Sequence, residues 1–187
     1  MQSKEIEMNT IRLMNIYDLE DFTEEMSIND KGILYCFGTS LVSRLIQAKT
    51  RRTPNELVPS HVALYSRDLI YESTTSEVDI NNKHIRSGVR RWLTDDFIEA
   101  EKDRLTKYIY LSNPWAGASA DLFVHLPYGK DTIVDFLLKD GSDGDSKGLI
   151  CSQFANMCIR YPHQKQCPTP ADLFRQELKR HKISIIE

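Results

Sequence analysis

Two side chains, far apart in the chain, have the chemistry of a thiol nucleophile and its base. In Gly148-Leu149-Ile150-Cys151-Ser152-Gln153-Phe154-Ala155-Asn156 a cysteine stands where a polar loop turns into an apolar helix. The first N–H groups of a helix have no partner within it, and the positive end of its dipole lowers a thiol's pKa. A thiolate placed there still needs a proton carrier. His61 opens the apolar run Val62-Ala63-Leu64-Tyr65, so it sits at the edge of a buried strand. A second short run, Ile70-Tyr71, ends in Glu72. If the two runs pair as a hairpin, His61 and Glu72 share its open end. A carboxylate there fixes the imidazole tautomer and favours its protonated form. Cysteine, histidine and carboxylate together are the set required for covalent thiol catalysis.

Each residue also has an ordinary reading. A free cysteine is most often a small core hydrophobe, and Cys36 and Cys158 fit that role inside their apolar runs. A lone histidine is most often a surface or strand-edge residue. Cys151 and His61 differ because one opens a helix after a flexible loop and the other opens a wholly apolar strand.

The elements that must hold them can be read from periodicity and turn residues. Residues 32–38 form a nearly continuous apolar run between glycines, as in a buried strand. Leu41, Leu45, Ile46 and Ala48 have helical spacing behind Thr39 or Ser40 as N-cap. Residues 61–66 and 69–73, joined by Arg67-Asp68, predict a β-hairpin. Further strands are expected at 88–93 and 107–111, with helices at 94–100 (capped by Thr94), 119–126, 131–138 and from Cys151 to about Arg160. Pro127-Tyr128-Gly129 reads as a turn, the segment from Asp140 to Gly148 as a mobile connector, and 182–186 as a last strand. Ile11, Leu13, Met14, Ile16, Leu19 and Phe22 give residues 1–30 a weak helical period, expected as a helical arm on a domain spanning 31–187.

Composition narrows the function classes. The chain has 187 residues, enough for one domain with a core. Its formal net charge of -3 gives no electrostatic basis for binding nucleic acid. No apolar run approaches the length needed to cross a bilayer. The polar, acidic start does not look like a secretory signal peptide, so the expected location is the cytoplasm of a bacterial cell or a virus-infected host. The 4 cysteines are irregularly spaced, which argues against a disulfide framework. Cys158, His163 and Cys167 match no standard zinc spacing.

The ordered series of motifs resembles the circularly permuted branch of the NlpC-type papain-like cysteine peptidase and amidase superfamily. The matching pieces are 32–45 with Ser43-Arg44-Leu45-Ile46, the Ser60–Tyr65 and Ile70–Ser73 runs, and Gly88-Val89 before Leu93. They continue with Pro127-Tyr128, Ile150-Cys151-Ser152-Gln153 and Thr169-Pro170-Ala171-Asp172-Leu173. The histidine and carboxylate precede the cysteine, the reverse of papain. The resemblance implies an α+β, permuted papain-like fold in which an antiparallel sheet packs against the cysteine-bearing helix. It implies Cys151 as nucleophile, His61 as general base and Glu72 as the orienting group. Tyr128 and Ser152 would line the site and help hold an oxyanion, and no metal or organic cofactor is needed. The implied activity is hydrolysis of an amide, peptide or isopeptide, such as a cell-wall stem peptide. The alternatives are a lipid acyltransferase or deacylase of the lecithin retinol acyltransferase type, which should have an apolar groove beside Cys151, and an inactive papain-fold binding module. The partner is then a small peptide, a cell-wall fragment or an acyl lipid; the oligomeric state is left open. Gln153 stands where the family often has glutamate, and residues 139–148 are longer than its pattern. An aromatic cleft (Tyr35, Tyr65, Tyr71, Trp92, Tyr128) rimmed by Arg51, Arg52, Arg90 and Arg91 would favour an acidic peptide.

Overall fold

Side-chain alternation along the central strands divides the chain into two cores. The computed structural model describes residues 13–27, 29–80, 83–130, 133–134, 148–159, 162–164 and 167–183. Strand β2 (Lys31–Gly38) sends Ile33, Tyr35 and Phe37 to one core and Leu34 and Cys36 to the other. Strand β3 (His61–Ser66) does the same with Val62 and Leu64 against Ala63 and Tyr65. A strand covered on both faces must be apolar at every position, which explains the unbroken runs in the sequence.

The strands β1 (Met14–Asn15), β2, β3, β4 (Leu69–Thr74), β7 (Gly88–Trp92) and β8 (Leu105–Ser112) form one six-stranded sheet in the order β1-β8-β2-β3-β4-β7. All its pairings are antiparallel. The β3–β4 hairpin turns through Arg67 and Asp68, both with positive φ, the geometry that matches strand twist. Asp68 tolerates it well, and its carboxylate accepts a 3.0 Å hydrogen bond from the Tyr65 hydroxyl. Helices α4 (Cys151–Met157) and α5 (Pro170–His181) cover the first core through Phe154, Leu173 and Phe174. Helices α1 (Leu19–Glu24) and α3 (Thr94–Glu101) cover the second through Leu19 and Phe97. Helix α2 (Leu41–Thr50) follows β2 and is capped by Ser40, whose hydroxyl accepts from the Ser43 N–H at 3.1 Å. The protein is therefore α+β with an antiparallel sheet.

Several elements differ from the sequence expectation. Residues 13–27 form edge strand β1, a 3-10 segment (Ile16–Asp18) and the short helix α1 rather than one amphipathic helix. The expected helix at 119–126 is only a 3-10 segment, Ala120–Phe123, and His125 adopts a φ of 76° that no helix accommodates. Thr94 lies inside α3, whose N-cap is Leu93 without a side-chain cap. The polar stretch after β4 holds a small second sheet of β5 (Val78–Ile80) and β6 (Lys83–Ile85). Helix α5 had not been expected, although Thr169 and Asp172 form a reciprocal capping box around Pro170. It ends at Lys182 in the left-handed conformation, and residues 184–186 of the strand expected there lie outside the described residues. Helix α4 stops at Met157, short of Arg160. Most of the 131–138 helix and the 139–147 loop lie outside the described residues.

Candidate active site

Cys151 is the first residue of α4 and is buried, 4% exposed. Three contacts set its approach to the helix. The Ile150 N–H donates to Gln153 Oε1 at 3.2 Å, so this glutamine caps the helix start. The Leu149 N–H donates to the Pro127 carbonyl at 3.0 Å, and the Ser73 hydroxyl donates to the Leu149 carbonyl, tying the pre-cysteine segment to β4. Gly148 is required here because a Cβ would stand 2.4 Å from the Pro127 carbonyl oxygen. Upstream, Gly88 at φ +137° lets β7 approach Leu126, where the Val89 N–H donates to the Leu126 carbonyl at 2.8 Å. These contacts bring the Pro127-Tyr128 segment against the cysteine loop.

His61 is the first residue of β3, and its Nε2 lies 2.9 Å from Glu72 Oε2 on the neighbouring strand. A carboxylate only accepts, so Nε2 carries the proton and Nδ1 is the nitrogen left for the thiol. Burial alone would push the imidazolium down. The negative charge of Cys151 and its hydrogen bond, followed by the hydrogen bond and charge of Glu72, outweigh burial and raise His61 from 6.5 to about 10. Burial likewise works against the Glu72 carboxylate, but His61, then Arg90 and Arg104, hold it down at about 2. Charge on both partners is the state this pocket favours.

Behind Cys151, His61 and Glu72 lies a network that the motifs did not announce. Glu72 is fully buried, and its Oε1 accepts from Trp92 Nε1 at 2.9 Å and Arg90 Nη2 at 3.0 Å. Arg90 also stacks on Trp92 with its guanidinium carbon 4.7 Å from the ring centroid, and its Nη2 reaches Glu101 Oε1 at 3.4 Å. Glu101 in turn accepts from Arg104, whose Nη2 also donates to the Thr74 hydroxyl at 3.0 Å. The signal was present in the strand register, which puts Arg90 directly opposite Glu72. A buried arginine beside a buried carboxylate is hard to read from sequence because each residue alone looks like surface.

A cavity of about 390 Å3 opens onto Cys151 and His61. Its walls include Tyr128, Arg104, Lys130 and Thr75, with apolar sides from Val42, Ile46, Leu105 and Val134. Tyr128 is partly buried as a residue; burial of its hydroxyl and the negative charge of Cys151 push its pKa well up, so it keeps its proton and can donate. Ser152 is fully buried, lines a second, smaller apolar pocket beside the thiol, and its hydroxyl has no partner among the described residues. The expected aromatic cleft is not built as the sequence implied. Tyr35 packs on Phe174 in the first core, Tyr65 and Tyr71 bond Asp68 and Asp121, and Trp92 lies beneath Glu72. Of those five aromatics only Tyr128 faces the cavity. Arg90 is 5% exposed and so forms no rim, Arg91 pairs with Asp121, and Arg52 lines a separate groove with Arg175.

Among the described residues no cluster of three or more His, Cys, Asp or Glu side chains could hold a metal, and no helix is long and apolar enough to cross a membrane. Compared with protein-family models, curated proteins and solved structures, the chain matches none.

Proposed function

We propose that the protein is a thiol hydrolase of amide or ester bonds with a permuted papain-like arrangement, acting through Cys151, His61 and Glu72. The observation that carries this reading is the buried, hydrogen-bonded His61–Glu72 pair in electrostatic contact with Cys151 at the mouth of a cavity. The Cys151 sulfur attacks the carbonyl carbon, and the carbonyl electron pair moves to oxygen. That oxyanion would be received by the Cys151 backbone N–H at the helix start and by the Tyr128 hydroxyl, which shares the cavity. His61 Nδ1 gives its proton to the leaving nitrogen or oxygen as that bond breaks. The thioester remains, His61 takes a proton from water, and the hydroxide breaks the C–S bond to release the acid. Glu72 keeps the imidazole oriented throughout.

For the acyl part of the substrate, the apolar cavity walls support an acyl-lipid reading beside the peptide one. The test begins with limited alkylation by iodoacetamide near neutral pH and peptide mapping. Cys151 should react well ahead of Cys36 and Cys158, which burial holds protonated, Cys158 at about 11. His61→Ala should slow Cys151 selectively. A panel of muropeptides and acyl esters, with Cys151→Ala as control, then ranks the two substrates. Equal labelling of all cysteines, with no Cys151-dependent turnover, would leave the inactive binding module as the better reading.

A further inference from the structure

The cavity that exposes Cys151 has an uneven charge distribution. Among the described residues lining it there is no aspartate or glutamate, while His61, Arg104 and Lys130 all face it. Arg104 lies in the turn between α3 and β8, and its side chain is 31% exposed. Its Nε and Nη2 bond Glu101, and Nη2 also bonds Thr74 Oγ1. These contacts fix the plane of the guanidinium and, among the described residues, leave Nη1 as its uncommitted donor. A held guanidinium loses little rotamer entropy when a ligand binds, so it can read an anion at low cost. Lys130 is exposed at the cavity rim, two residues beyond Tyr128, and is drawn in by the hydrogen bond from its N–H to the Tyr128 carbonyl at 3.0 Å. Burial, followed by the charge of Glu72, raises Glu101 to about 7, so near neutrality its carboxylate only partly offsets Arg104.

We propose that Arg104 and Lys130 form an anion subsite, so that the substrate carries a carboxylate or phosphate close to its scissile carbonyl. This rests on the reading of Cys151 as nucleophile and narrows its substrate class. The apolar walls opposite, from Val42, Ile46 and Val134, then take the other end of the molecule, which makes the substrate amphipathic. An acyl group joined by an amide or ester to an anion-bearing moiety satisfies both walls. The cationic residues that select it are therefore different from the arginines flanking the motifs in sequence.

The alkylating reagents themselves test the subsite without a known substrate. Iodoacetate and iodoacetamide differ by one negative charge and displace iodide at the same sulfur, so their rate ratio at Cys151 reports local positive charge. Arg104→Gln should lower the iodoacetate-to-iodoacetamide ratio about fivefold, and Lys130→Gln should lower it in the same direction, both effects shrinking with added salt. Glu101 loses a partner in Arg104→Gln; if that variant does not fold, Lys130→Gln on the cavity rim decides alone. Acetate and inorganic phosphate, compared at matched ionic strength as competitors of iodoacetate, separate a carboxylate from a phosphate as the natural anion. A ratio unchanged in the folded variants would overturn the subsite while leaving Cys151 a nucleophile. Failure of both reagents to single out Cys151 would overturn the hydrolase reading, and the subsite with it.

Discussion

Glu72 does more than orient His61, because it is also the counter-ion of a buried arginine. Arg90 is 5% exposed and its carboxylate neighbours are Glu72 and Glu101. Removing one partner of a buried pair leaves a charge without compensation, so Glu72→Ala should cost about 3–5 kcal/mol in urea unfolding. Glu72→Gln keeps the shape and should cost less, yet slow alkylation of Cys151 several-fold because the amide cannot hold an imidazolium as a carboxylate does. If Glu72→Ala were as stable as the unsubstituted protein, Arg90 would not depend on this charge. The same network sets the pH response. Glu72 falls from 4.5 to about 2, so its contribution is present above 4.5 and is lost as pH drops towards 2. His61 rises from 6.5 to about 10, so its contribution is present below 6.5 and is lost as pH climbs towards 10. Glu101 rises from 4.5 to about 7, so ionising it weakens the fold across that interval. Melting temperature should therefore decline from about pH 4.5 upwards, and Glu101→Gln should flatten the part of that decline below about pH 7, leaving the His61 part above it. An equal slope in both proteins would remove Glu101 as its source.

At the level of elements, the site depends on two backbone approaches that side chains cannot replace. Gly148 packs on the carbonyls of Pro127 and Tyr128, with an added Cβ 2.4 and 2.7 Å from their oxygens. These are backbone atoms, so Gly148→Ala must displace the segment bearing Tyr128. The variant should lose about 1–3 kcal/mol, the cost typical of overpacking, and Cys151 should label more slowly although no reactive atom has changed. Undiminished labelling would show that the Tyr128 segment is irrelevant to the thiol. The sequence announced this geometry in part: Gly148, Pro127 and Tyr128 all belonged to motifs, and the strands holding His61 and Glu72 were legible from their unbroken apolar runs. The 3-10 segment at Ala120–Phe123 was misread because helical spacing of Ala120, Phe123 and Val124 is also what one apolar turn against Phe154 requires. The β5–β6 pair escaped because strands of three residues are too short to display alternation. Arg90 escaped because its burial comes from pairing two strands, information that no local window holds.

Across the whole molecule, the sheet is the wall between two cores, and the site stands where its interior strand β3 begins. Cys151 belongs to the first core, whereas Trp92 and Phe97 beside Glu72 and Glu101 belong to the second. The His61–Glu72 contact is thus supported from both sides, and weakening the distant core should reach the site. Residues 13–27 make that testable, because the sequence set 1–30 apart as an arm while the structure builds part of it into the second core. Met14 pairs with Tyr108 as an edge strand, Ile16 and Leu19 are each 1% exposed, and the Phe22 ring lies 5.2 Å from that of Tyr110. Burying Ile16 and Leu19 alone is worth about 1.5–3 kcal/mol each, a large share of the roughly 5–15 kcal/mol that holds a domain folded. Deleting residues 1–27 should lower the melting temperature by 10 °C or more for a domain of this size, expose apolar surface to a hydrophobic dye, and uncover the edge of β8. Labelling of Cys36, on the second-core face of β2, should accelerate more than that of Cys158 in the first. A truncated protein with the full-length melting temperature and the same cysteine ranking would make residues 13–27 an arm that the fold does not need.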